Sequence, residues 1–258
     1  MSVDDSGTAL ADDQPPAPSR AARRVPPPLS PGRRVVRTVG EILITLGVVL
    51  LLFSVYQLFW TNVSADLATQ QVTDQIRNDW QFGQHGTSAG APDSAAAPQT
   101  FNPGQGFALL HIPRLGTGWV RPIVEGVALD DLRKGVGHYP ETATPGEIGN
   151  FAVAGHRATN GEPFRALDLL RPGDPVIVET ADSWFVYTVD NTRIVAPTHV
   201  SVLLPVPDQP GVKPTKAIIT LTTCNPRWAS YQRMIVTGTL VETRPKSQGP
   251  PAALGSGG

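Results

Sequence analysis

The sequence of 258 residues contains a single cysteine, Cys224. One thiol cannot form an intramolecular disulfide, and in an exported chain an odd cysteine is either an intermolecular partner or a reactive group. An excess of charge of one sign is lacking too. Lys plus Arg number 21 against 22 Asp plus Glu, a net charge of -1, and so balanced a chain gives no basic footprint for nucleic acid. No Cys/His cluster has zinc spacing, and no glycine-rich loop stands at a strand-to-helix junction to cradle a phosphate. The sequence therefore implies no metal and no cofactor.

What is present falls into segments. Residues 1–32 are rich in Pro, Ala, Asp and Arg and poor in apolar side chains, a composition that cannot bury enough surface to offset the entropy of ordering. This predicts a disordered tail over 1–38, basic toward its end, where Arg20, Arg23, Arg24, Arg33, Arg34 and Arg37 accumulate. An uncharged run of 19 residues, 42–60, follows and is close to the ~20 that cross a hydrocarbon core. It predicts a transmembrane anchor over 39–61. Tyr56, Phe59 and Trp60 gather at its far end, as interfacial aromatics do, and the arginines lie on its near side. That asymmetry puts the N-terminus in the cytoplasm and the rest outside, in a single-pass protein of the plasma membrane. A cleaved signal peptide is the competing reading, with Val63-Ser64-Ala65 as a small-residue cleavage site. The apolar run is longer than a usual signal core of roughly 7 to 15 residues.

Between 64 and 80, Ala68, Val72, Ile76 and Trp80 recur every fourth residue, with Ser64 placed as an N-cap. The pattern predicts an amphipathic stalk helix over 62–82, which either packs on the folded domain or only spaces it. Residues 83–106, heavy in Gly, Ala, Pro and Ser, read as a flexible linker. Beyond them, short β-type runs alternate with turn residues, as in a small barrel or sandwich. Strands are expected near 107–112, 119–124, 150–154, 175–179, 184–194, 216–223 and 234–242. A short surface helix is expected over 163–170, where Phe164, Leu167 and Leu170 have helical spacing before Pro172-Gly173. The folded domain, 107–244, is then about 140 residues and large enough for a core. Residues 245–258 read as a disordered tail.

Cys224 ends the strand-like run that begins at Ala217. A cysteine in a strand is most often a small buried hydrophobe. Here Thr223 and Asn225 flank it and Pro226 follows, which marks a strand end near solvent. A thiol attacks as its thiolate and sits near pKa ~8.5 unaided, so it needs a proton acceptor and a positive neighbour. His156, which follows the apolar run 150–154 and Gly155, supplies the first; Arg233, which opens the run 234–236, supplies the second. His138, in a turn-like stretch, competes with His156, but strand ends fix geometry better than loops. His85, His111 and His199 fall in the linker, the first strand and a Pro-rich loop. Arg227 lies in the loop after the cysteine, whereas a strand holds the Arg233 guanidinium in register with it.

These residues resemble the sortase family of cysteine transpeptidases. Thr220-Leu221-Thr222-Thr223-Cys224 fits the family's T-L-x-T-C, and Gly155-His156-Arg157 fits the G-H-R around its catalytic histidine. Arg233 fits the arginine that begins the last strand, and Leu110-His111-Ile112-Pro113-Arg114-Leu115 looks like the opening strand. The likeness covers roughly 107–242 and is greatest to the actinobacterial class E enzymes. It implies a mainly β fold, an eight-stranded β-barrel with short helices, preceded here by one transmembrane helix. It also implies that Cys224 is the nucleophile, that His156 protonates the leaving amine, and that Arg233 donates hydrogen bonds to the oxyanion or a neighbouring substrate carbonyl.

Thr223 and Tyr139 would help line the substrate groove. The partners implied are surface proteins bearing a C-terminal sorting signal, L-A-x-T-G rather than L-P-x-T-G, cleaved between Thr and Gly. The acceptor is a peptidoglycan precursor amine. Some sortases bind calcium, but Glu141, Glu147 and Glu162 are too scattered here to predict a site. Two readings stay open beside this one. One is another exported cysteine acyl-transferase or peptidase acting on peptidoglycan, although the histidine-glycine-cysteine signature of L,D-transpeptidases is absent. The other is a non-catalytic surface β-module with Cys224 buried.

Overall fold

The computed structural model describes residues 31–83 and 101–255. Of the tail expected over 1–38, residues 1–30 lie outside the described residues, as do most of the linker (84–100), His85, residues 256–258 and the side chains of Phe59 and Trp60, whereas 31–38 are helical. The chain divides into two units, Met1–Leu51 and Leu52–Gly258.

Helix α1 spans Pro31–Gln81. Its stretch Pro31–Tyr56 is long and apolar enough to cross a membrane, and those apolar side chains are exposed. The helix runs unbroken through Ser64, so the start expected there is absent. Inside a helix the preceding turn supplies carbonyl partners, and no cap is required.

In the second unit eight strands close into a barrel: β1 Gly106–His111, β2 Val120–Glu125, β3 Val136–His138, β4 Gly149–Ala154, β5 Pro175–Glu179, β6 Ser183–Val195, β7 Ala217–Asn225 and β8 Gln232–Pro245. Their order around the barrel is β1-β2-β3-β4-β7-β8-β6-β5. A four-residue helix, α2 Leu129–Leu132, joins β2 to β3. Closure leaves no unpaired sheet edge. Alternation along each strand decides which side chains fill the interior. Phe151 and Val153 of β4, Ile219 and Leu221 of β7, and Met234 and Val236 of β8 belong to one buried core. Each such side chain contributes on the order of 1.5–3 kcal/mol through burial. Asn150, Ala152 and Ala154, with Ile218, Thr220, Thr222 and Cys224, therefore project outward along two neighbouring parallel strands.

The expected strands all form. β3 was not expected: Val136-Gly137-His138 is three residues long with a glycine at its centre, too short for alternation to register. His138 thus sits in a strand rather than a turn. The surface helix expected over 163–170 is replaced by a 3-10 turn, Leu167–Leu169. Leu167, Leu169 and Leu170 each donate their amide to the carbonyl three residues earlier, so the turn repeats every three residues. Over so short a run, periods of 3 and 3.6 give the same apolar spacing. Phe164, Leu167 and Leu170 do not face solvent; they plug the barrel core.

The C-terminal half of α1 packs rather than merely spaces. Ala65 and Ile76 are buried, and a Cβ at Gly106 would stand 2.6 Å from Val72 and 2.7 Å from Ile76. Residues 245–255, expected as part of a tail, also pack. Two 3-10 turns, Lys246–Gln248 and Ala252–Gly255, follow β8, and Ala253 and Leu254 cover Ile177, Trp184 and Val186. The Lys246 ammonium lies over the rings of Trp80 (4.8 Å) and Trp184 (4.3 Å) and pairs with Glu179. Leu254 gives the end of the chain an apolar contact that composition alone does not reveal.

Candidate active site

Cys224 stands one residue before the end of β7 and pairs in register with Arg233, the second residue of β8. Directly opposed residues in an antiparallel pair project to the same face, so sulfur and guanidinium share one outward surface at the barrel rim. Cys224 is half-buried, which excludes the reading in which the thiol is sealed in hydrocarbon. Arg233 Nη1 donates to the carbonyls of Ser230 (2.7 Å) and Gln232 (2.9 Å), holding the side chain at the root of the β7–β8 loop.

His156 reaches this rim from β4. β4 and β7 run parallel with Ala154 opposite Thr222. The residues on either side of His156 are then tied to β7. The Gly155 amide donates to the Thr222 carbonyl (3.1 Å), and the Thr223 hydroxyl donates to the Gly155 carbonyl (2.7 Å). Arg157 Nη1 donates to the Asn225 side chain (2.6 Å) and approaches the Cys224 carbonyl (3.4 Å). The backbone carrying His156 is thus fastened on both sides of it to residues flanking Cys224. Gly155 is required by a close approach: a Cβ there would lie 2.6 Å from the Phe164 ring. Burial, and after it the charge of Arg133, hold the His156 imidazole below its ordinary range. Asn160 Nδ2 lies 3.2 Å from His156 Nε2.

The other histidine candidate is differently employed. His138 is 2% exposed; its Nδ1 meets Glu125 at 2.7 Å, and its Nε2 lies 3.0 Å from the Thr142 hydroxyl and 3.1 Å from the Ala143 carbonyl. Both ring nitrogens are spent on structure. Arg227 also lies apart from the thiol's register: it pairs with Glu162 (2.8 Å) and stacks on Trp228 (4.5 Å).

Of the two residues expected to line a groove, Tyr139 reaches the outward face, its hydroxyl 3.1 Å from Thr222 Oγ1. Thr223 is 3% exposed, falls on the inward side with Ile219 and Leu221, and spends its hydroxyl on Gly155. The period of two puts Thr222, not Thr223, beside Cys224. Along the same face Thr220 bonds Asn150 (2.6 Å), whose amide donates to the carbonyls of Val202 (2.9 Å) and Leu204 (3.1 Å). The β6–β7 segment is thereby held over the start of β4. A cleft of about 340 Å³ opens beside that contact, lined by Glu141, Thr142 and Ile148 on one side and Leu203, Pro205 and Pro214 on the other. Among the described residues no group of three or more His, Cys, Asp or Glu is arranged to hold a metal. Arg157, Asn160, Asn150 and Thr222 were given no role by sequence, although Arg157 stands in the G-H-R motif and Thr222 in the T-L-T-T-C motif.

The rim thus holds the parts of a thiol-dependent acyl-transfer site on a closed eight-stranded barrel. Comparison with known proteins agrees. Residues 110–241 match the sortase domain family. The chain is 48% identical over 243 residues to Sortase SrtE1 of Streptomyces coelicolor, covering 90% of this chain and 65% of that protein. It is 37% identical over 230 residues to Sortase SrtE2 of the same organism, covering 83% of this chain and 86% of that one. Among solved structures, sortase E1 from Streptomyces coelicolor with a tripeptide in its active site is 52% identical, with 59% of this chain and 98% of that chain covered and a TM-score of 0.55. The chain belongs to the sortase family, a family of cysteine transpeptidases.

Proposed function

We propose that this chain is a membrane-anchored, class E-like sortase acting outside the cell. The observation that carries the reading is the register pair Cys224–Arg233 with His156 fastened alongside. A neutral His156 takes the thiol proton, and the sulfur attacks the carbonyl carbon of the Thr–Gly bond in a C-terminal sorting signal. Arg233 donates to the oxyanion that develops. The carbon–nitrogen bond breaks, the imidazolium gives its proton to the departing glycine amine, and a thioester remains on Cys224. A peptidoglycan precursor amine then attacks that carbonyl, its proton passes to His156, and the thiol is restored as the new amide forms. Thr222 and Tyr139 line the groove beside the sulfur; Thr223 braces the His156 backbone.

The helix over 31–56, with arginines before it, supports an N-terminus in the cytoplasm and a barrel facing the cell wall. The likeness to Sortase SrtE1 and Sortase SrtE2 supports the class E reading, and with it L-A-x-T-G as the signal and surface proteins bearing it as the donors in this proposal. The test is a fluorogenic L-A-x-T-G peptide with the full-length chain in detergent. Cleavage between Thr and Gly, with a ligated product when a candidate amine is added, supports the proposal. No cleavage of L-A-x-T-G or L-P-x-T-G peptides would overturn it.

A further inference from the structure

Arg157 is 7% exposed, a charged side chain buried in the folded unit. Its guanidinium bridges two separate pieces of chain. Nη1 reaches Asn225 Oδ1 at 2.6 Å and the Cys224 carbonyl at 3.4 Å, both at the end of β7. Nη2 pairs at 3.0 Å with Asp168, whose 3-10 turn lies in the segment that plugs the barrel. Nε is buried with no partner among the described residues. A buried donor left unpaired costs stability, so the side chain is held by its forked contacts and not by complete satisfaction of its hydrogens.

Arg157 adjoins His156 in the chain and grips the carbonyl of the nucleophile itself. We infer that Arg157 is the positioning residue that fixes the imidazole of His156 relative to the sulfur of Cys224, with Asp168 anchoring the guanidinium from behind. The inference rests on the acyl-transfer reading above. Its physical content is that one rigid planar cation, and not the β4–β7 ladder alone, sets the separation of base and nucleophile. That ladder ends at Ala154 and Thr222, two residues short of both groups. A displacement of about 1 Å between reacting groups can lower a rate by about a hundredfold.

The experiment compares wild type, R157Q, R157K and N225A as full-length chains in detergent, using the L-A-x-T-G peptide. Active sites are counted by iodoacetamide labelling of Cys224, so that turnover is expressed per reactive thiol. Loss of folded protein lowers the count; loss of positioning lowers turnover per count. R157Q should cut kcat per site by at least about tenfold, with KM changed less than about twofold. R157K, which keeps the charge but not the fork, should recover part of that loss. If R157Q yields no folded protein, N225A decides, with a fall in kcat per site of about threefold or more expected. Wild-type kcat per site in R157Q, or in N225A where R157Q does not fold, would overturn the inference even if stability fell. Failure of wild type to cleave the peptide would instead overturn the acyl-transfer reading.

Discussion

Cys224 and Arg233 oppose each other in one register pair of β7 and β8, so the only thiol of the chain and a strand-borne guanidinium share one face at the root of the β7–β8 loop. Preorganised donors of this kind act without reorganising during reaction.

Replacing Arg233 tests that relationship. Arg233→Ala should lower kcat/KM by ~10²–10³, the usual consequence of losing an oxyanion donor. Arg233→Lys should recover only part, because an ammonium keeps the charge and loses the planar fork. Steady-state cleavage of the signal peptide measures both, and activity near wild type in Arg233→Ala would remove the residue from the mechanism.

The His156 ring should titrate below 6.5, its ordinary value, since burial and then Arg133 disfavour the cation. Falling pH protonates the imidazole and removes the acceptor for the thiol proton. Because the folded pKa is lowered, that loss of kcat/KM should begin at a lower pH than for a free histidine. NMR titration of the ring, with His156→Asn to assign it, checks the midpoint; a value above 6.5 would contradict the account.

Asn150 links β4, β7 and the β6–β7 segment through three hydrogen bonds while 1% exposed. Asn150→Ala strands the Val202 carbonyl and the Thr220 hydroxyl, each an uncompensated buried group worth about 1–3 kcal/mol, along with the part-buried Leu204 carbonyl. Urea denaturation should show a loss of that order or more, and Thr220→Val, which removes one partner, a smaller one. Equal stability of Asn150→Ala and wild type would show that the segment is held by other contacts.

Asp208 gathers the Ser201 hydroxyl (2.7 Å), the Arg193 guanidinium and His199 Nε2 (2.8 Å), and these hold its carboxyl down to about 2. A carboxyl whose pKa is lowered on folding stabilises the fold above its unfolded value, here 3.8, and loses that contribution as pH falls toward about 2. Asp208→Asn should therefore lower Tm at pH 5 to 7 and converge on wild type toward pH 2. Thermal denaturation across that range checks it, and a Tm difference that does not shrink on acidification would refute the assignment.

The outline of the barrel was legible because long strands alternate: Phe151 and Val153, or Ile219 and Leu221, announce an inner face. β3 was not legible, since three residues around Gly137 carry no period. The segment 163–170 was misread because three-residue and 3.6-residue spacings coincide over so few positions. In the site, the T-L-T-T-C and G-H-R motifs and the strand-like runs beside them pointed to Cys224, His156 and Arg233, and the structure places Cys224 and Arg233 in one register pair with His156 two residues past β4. Thr223 was expected in the groove by adjacency to the cysteine, but adjacency along a strand means opposite faces, and it is Thr222 that shares the face of Cys224. The contact of Arg157 with Asn225 exists only once β4 and β7 are paired, while Asn160 meets His156 through a local turn four residues on.

The measurement that bears most directly on the central claim is the intact mass of the full-length chain mixed with an L-A-x-T-G peptide and quenched early. The account predicts a mass gain equal to the peptide fragment ending at Thr, released by hydroxylamine and absent from Cys224→Ala. Peptide turnover by Cys224→Ala, or turnover by wild type with no adduct on Cys224, would contradict it.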